Sequence, residues 1–171
     1  MSSSDALFLD YSARKLAQYA SRIEDCVGRL DAEQIWTRGT ENENSVGNLV
    51  LHLSGNVRQW IVSGLGGRPD VRERDREFSS RGGPGVPELL SLLHAAVTEA
   101  QAVIRSIDPQ RLTKQVRIQN YEVTVLEAIY HVVEHFSGHT GQIILATKLL
   151  TGTDLGYYKH LNAPTHSEKT V

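Results

Sequence analysis

Four stretches of the chain repeat apolar residues every three or four positions, a spacing that lays one continuous stripe along an α-helix and commits the chain to a helical fold. The first follows Ser4 and Asp5, read as caps, and carries Leu9, Ala13, Leu16, Ala20, Ile23, Val27 and Leu30. The second opens at Ser45, a good cap, with Val46, Leu49, Leu53, Val57, Trp60 and Ile61. In the third, Pro87 suits the first turn, Leu90, Leu93, Val97, Ala100, Ile104 and Ile107 form the stripe, and Asp108-Pro109 ends it. The fourth starts from a Thr124/Glu127 capping box, runs through Val125, Ile129, Val132, Phe136, Ile143 and Leu150, and stops near Gly152. Stripes of this kind must be buried against one another, so the expected fold is all-α, a four-helix bundle.

The connecting pieces are more varied. Asp31 opens a turn through DAEQIW, and the polar TRGTENEN separates it from the second helix. Residues 66–87 read as a long Gly/Pro-punctuated loop whose five arginines face four acidic residues; such loops are often functional, and a solvated tether is the alternative. KQVRIQNYEVTV alternates β-branched and polar residues around Gln119-Asn120, which predicts a small two-stranded hairpin just before the last helix. At 171 residues the expectation is one domain spanning 1–171, with a polar tail from 153 to 171.

A net charge of −2 provides no positive field for a nucleic-acid backbone, so nucleic acid is not expected as a partner. The first residues lack a secretory pattern and no apolar run of about 18 residues occurs, which points to a cytoplasmic protein without a membrane partner. The single cysteine, Cys26, falls in the first helical pattern and reads as a small core residue.

Histidine carries the chemistry. His131, His135 and His139 recur every four residues in the fourth helix, each step turning only about 40° around the axis, so they stack along one face. Imidazoles at i and i+4 can share one metal ion. A third ligand must come from elsewhere, and His52 flanks the stripe of the second helix beside Leu49 and Leu53, with Asn48 and Asn56 one turn to each side. Three imidazoles with no fourth protein ligand resemble a catalytic site with an open position. Gln142, one turn beyond His139, together with His131 and Asn56, is a candidate for the outer shell or the pocket. Core packing is the competing explanation for any single histidine on an apolar face. His94 reads as surface or packing, and His160 and His166 as part of the polar tail.

Two sharper motifs are rejected. His131-Val-Val-Glu134-His135 matches the inverted zinc-protease pattern, but the acidic ligand that such enzymes take from a later helix is missing, since only Asp154 and Glu168 follow His139. A di-iron bundle would need paired Glu-x-x-His motifs, and none occurs. Glu134, about 100° around the helix from His135, reads as surface.

NSVGNLVLHLSGNVRQWI around His52, RERDREF in the arginine-rich loop and EHFSGHTGQI around His135 and His139 resemble the DinB/YfiT-like superfamily, over most of the chain. The resemblance implies a four-helix bundle with an up-down-down-up course, homodimers formed by packing helices, and a metal triad mapping onto His52, His135 and His139. Zinc is the first expectation for the ion, with nickel or another transition metal as alternatives. Characterised relatives include transferases and isomerases in which the metal binds the sulfur of a low-molecular-weight thiol, so the resemblance implies a metal-dependent enzyme with a small-molecule substrate, a thiol S-transferase or a hydrolase-like catalyst. The alternative is a noncatalytic stress-response or partner-binding bundle whose metal is structural or absent. Arg58, Gln59 and Arg76 are candidates for binding an anionic substrate, with simple solvation as the alternative.

Overall fold

The computed structural model describes residues 4–162. Four long helices make up most of it: α1 (Ser4–Val27), α2 (Val46–Val57), α4 (Val86–Ser106) and α5 (Val125–Thr151), with a short α3 (Arg74–Ser79) between α2 and α4. α1 packs against α4 and α5, and α2 packs against the same two. Leu16, Ile23, Leu53, Leu93, Ile129 and Phe136 are fully enclosed in the one hydrophobic cluster that results. Among the described residues no helix is long and apolar enough to cross a membrane.

The helix ends follow the local chemistry. Ser45 accepts from the Asn48 backbone N–H, and the Asn48 side chain reaches back to the Ser45 N–H; Thr124 and Glu127 do the same for α5, and Gly152 closes that helix with φ +65°. Gln115–Ile118 (β1) and Tyr121–Thr124 (β2) pair antiparallel in register Gln115 to Thr124 and Ile118 to Tyr121, with Gln119 at φ +56° in the turn. The hairpin stands directly before α5, as the alternation indicates.

Three expectations need correction. Leu89, not Leu90, is the fully buried leucine at the start of α4; Leu89 and Leu93 lie one turn apart facing the core, and Leu90 is left half-buried. Ser4 and Asp5 lie inside α1 rather than capping it. The stretch 66–87 is not loop throughout, because Arg74–Ser79 forms α3 and Val86 already opens α4, with Pro87 in its first turn. After α2 the chain widens into a π-turn at Arg58–Ser63, a rare conformation that is often found beside functional sites. Cys26 is completely buried and 3.4 Å from the Tyr157 hydroxyl, and burial raises its thiol pKa, as fits an inert core residue.

Candidate metal centre

The capping box at Ser45 fixes where α2 begins, and with it the face on which His52 emerges; Thr124 and Glu127 do the same for His135 and His139 on α5. Packing of α2 on α5 brings the three rings together. His135 Nε2 lies 2.9 Å from His52 Nε2 and 3.1 Å from His139 Nε2. One ligand nitrogen from each of the three falls within 4.8 Å of the others, a group that could hold a metal ion. Ligands at about 2.0–2.1 Å from a tetrahedral ion stand about 3.3 Å apart, so the observed spacing needs only a small expansion to accept one.

The outer nitrogens settle which way the lone pairs point. His52 Nδ1 is 3.0 Å from Glu77 Oε2, and Glu77 is itself clasped by Arg72 through Nε to Oε1 and Nη2 to Oε2, both at 2.7 Å. Burial alone would raise the Glu77 pKa; the hydrogen bonds from Arg72 and His52 outweigh it and hold the carboxyl below its ordinary value. An ionised carboxylate only accepts, so His52 Nδ1 carries the proton and donates it, and Nε2 presents its lone pair toward the other two rings. Arg72 Nη2 also approaches Nδ1 to 3.1 Å. Two donors cannot bond to each other, so that approach is a contact and not a hydrogen bond. On α5, His139 Nδ1 lies 2.8 Å from Gln142 Oε1, which likewise leaves its Nε2 free to ligate.

Metal-binding imidazoles must be neutral. Burial, followed by the neighbouring His139, His52, His131 and Arg72, pushes His135 down to about 3. His139 is lowered as well, by burial first, with the Gln142 hydrogen bond opposing. Two buried polar atoms in this region lack partners, His135 Nδ1 and Asn56 Oδ1. They are chemically complementary: with Nε2 turned to a metal, Nδ1 bears a hydrogen that needs an acceptor, and the Asn56 oxygen is an acceptor that needs a hydrogen.

Both residues line a cavity of about 530 Å3, together with His52, Trp60, Arg74 and His131. His131 is not in the convergent group; its ring packs tilted against Trp60 at 4.2 Å and stacks on His135 at 5.7 Å. A larger cavity of about 870 Å3 lies behind the Arg72–Glu77 pair, but no histidine lines it, so the smaller one is the cavity that adjoins the candidate metal group. Arg58 and Arg76 line that larger cavity and are paired with Glu99 and Glu73, while Gln59 bonds to Asp70, Arg72 and Gln119. Of the polar side chains considered for anion binding, none therefore faces the histidines. His94 pairs with Glu24 on α1 and Glu134 is exposed, both away from the triad. His166 and the side chain of His160 lie outside the described residues.

What the sequence left unassigned is the support from α3. RERDREF marks the resemblance, but nothing in its spacing says that Glu77 turns inward against His52, or that Phe78 packs its ring on the same imidazole at 4.5 Å. The placement is built by backbone contacts: the Asn48 amide donates to the carbonyls of Glu77 (2.8 Å) and Ser80 (3.0 Å), and Arg38 Nη2 donates to those of Phe78 and Ser80. Gly55 makes room, since a Cβ there would stand 2.0 Å from Glu77 Oε1.

The family model "Protein of unknown function (DUF1572)" matches residues 3–165. No curated protein matches the chain. The crystal structure of a conserved protein from Enterococcus faecalis is similar to it, with a TM-score of 0.69 and 16% identity over 84% of this chain and 96% of that one, which shows a shared fold.

Proposed function

The chain belongs to the DUF1572 family, whose proteins are of unknown function, and from that premise we propose that it is a divalent-metal-dependent enzyme whose ion is held by His52, His135 and His139. The observation that carries this reading is the meeting of three Nε2 atoms from two helices, two of them aimed by hydrogen bonds at the outer ring nitrogens. An aimed imidazole backed by a carboxylate is the usual outer shell of a protein metal site. The ion would act as a Lewis acid and lower the pKa of a water or thiol in the open position.

Three neutral imidazoles with one position left open favour zinc of catalytic type, with nickel or another transition metal as alternatives. Within that reading the reaction is transfer to or from a low-molecular-weight thiol, in a DinB/YfiT-like four-helix bundle of up-down-down-up course. Second copies would cover Leu145 and Leu149, which are 59% and 77% exposed on α5, as a homodimer.

This chain's own residues have definable tasks. Glu77 holds the His52 proton at Nδ1 and Gln142 holds the His139 proton at Nδ1, while His135 Nδ1 and Asn56 Oδ1 line the same cavity without a partner. Trp60 and His131 line the cavity with their rings in contact.

The test is elemental analysis of untagged protein before and after His135→Ala. One equivalent of metal lost with an unchanged circular-dichroism spectrum and unfolding midpoint supports the catalytic site. No metal in the parent protein sinks the reading, and loss of metal together with the fold makes the ion structural.

A further inference from the structure

We propose that the molecule entering the histidine cavity carries a carboxylate and that Arg74 binds it; the proposal names the substrate class of the site just described and rests on that reading. Charged side chains lining the cavity are Arg72, Arg74 and Glu127. Two of these are already engaged. Arg72 is locked in its bidentate pair with Glu77 and bonds Gln59 with its remaining nitrogen. Glu127 accepts the Thr124 backbone N–H at 2.6 Å and its hydroxyl at 2.7 Å, as the cap of α5.

Arg74 alone has no carboxylate in reach among the described residues; its guanidinium lies over the Phe78 ring at 4.9 Å. A guanidinium held over a ring keeps its edge of N–H donors free, and that edge matches a carboxylate in two-pronged fashion. Phe78 in turn packs on His52 at 4.5 Å, so the guanidinium stands no farther from the His52 ring than those two distances laid end to end. Within that bound a short molecule can reach both groups: one end at the open metal position, three or four bonds of chain, and a carboxylate at Arg74. Trp60 and Tyr121, with ring centroids 6.0 Å apart on the cavity wall, offer the apolar side along which such a chain lies.

The test uses the full chain loaded with cobalt(II), titrated with 3-mercaptopropionate and with 2-mercaptoethanol and followed by the thiolate-to-cobalt absorption band. The carboxylate-bearing thiol is expected to bind about tenfold more tightly, the size of one charge-assisted hydrogen-bonded pair at a part-exposed site. Arg74→Gln should erase that preference while leaving cobalt content and 2-mercaptoethanol affinity unchanged, and Arg74→Lys should restore part of it. Equal affinities in the parent protein, or a preference that survives Arg74→Gln, overturn the proposal.

A second titration separates the two readings. In the metal-free protein, propionate but not n-propanol should shift the Arg74 Nε–H signal in a nitrogen-15 spectrum. Failure to bind cobalt would remove the metal centre and leave the arginine to this second measurement, where an unmoved signal would remove the carboxylate.

Discussion

Replacing Glu77 by alanine is the perturbation on which the architecture of the centre can be judged. Glu77 is 8% exposed and its carboxylate is the shared acceptor of Arg72 and His52. The Arg72 side chain is 4% exposed, so removing the carboxylate leaves a guanidinium shielded from water with no counter-charge. Breaking such a buried pair from one side costs about 3–5 kcal/mol, out of a total stability of about 5–15 kcal/mol for an ordinary domain. Glu77→Gln keeps an acceptor but loses the charge, and should fall near 2 kcal/mol, the range of one hydrogen bond to a charged group. Urea unfolding of the metal-free proteins measures both. Removing the arginine as well, in Arg72→Met/Glu77→Leu, should recover most of the loss, because no charge is then stranded.

In the same alanine variant His52 loses the acceptor that fixes its tautomer, and affinity for zinc, read by competition with a chromophoric chelator, should drop about 10–100-fold. A stability loss under about 1 kcal/mol, with zinc affinity unmoved, would refute the idea that α3 supports the centre.

Gly55→Ala should weaken zinc binding about tenfold, because its Cβ would displace a carboxylate that Arg72 and His52 hold in place; the helix-propensity gain of about 1 kcal/mol offsets part of the stability loss, so affinity is the readout. Asn56→Leu should lower zinc affinity about tenfold and Asn56→Asp restore it, with nitrogen-15 spectra of the zinc form showing whether the His135 hydrogen remains on Nδ1. Acid should destabilise the metal-free protein: His135 protonates near 6.5 when unfolded but only at about 3 when folded, so the stability held above pH 6.5 is lost progressively down to about 3. His131 and His139, lowered in the same sense, add to that loss, and Glu77 joins it below 4.5. Unfolding midpoints at pH 7.5 and 5.5 check this, and His135→Gln should flatten the difference.

The amino-acid sequence determined whatever depends on near neighbours along the chain. Four stripes at helical spacing, the Ser45 and Thr124/Glu127 caps, the stop at Gly152 and the hairpin around Gln119-Asn120 are each written in relations between near neighbours, because backbone hydrogen bonds and caps act over one or two turns. His135 and His139 belong to the same class: four residues apart on a helix, their rings had to adjoin. Tertiary structure decided the rest. His52 lies 83 positions from His135, and only the packing of α2 on α5 sets their nitrogens 2.9 Å apart. Whether Glu77 pointed at water or at an imidazole could not be read from RERDREF, since a charged side chain is stable in either place and the choice follows from Asn48, Arg38 and Gly55, residues distant in the chain that dock α3 onto α2. Spacing fixes angle around one helix; it says nothing of which face of another helix will be opposite, and that is settled by the volume and shape of the core they share.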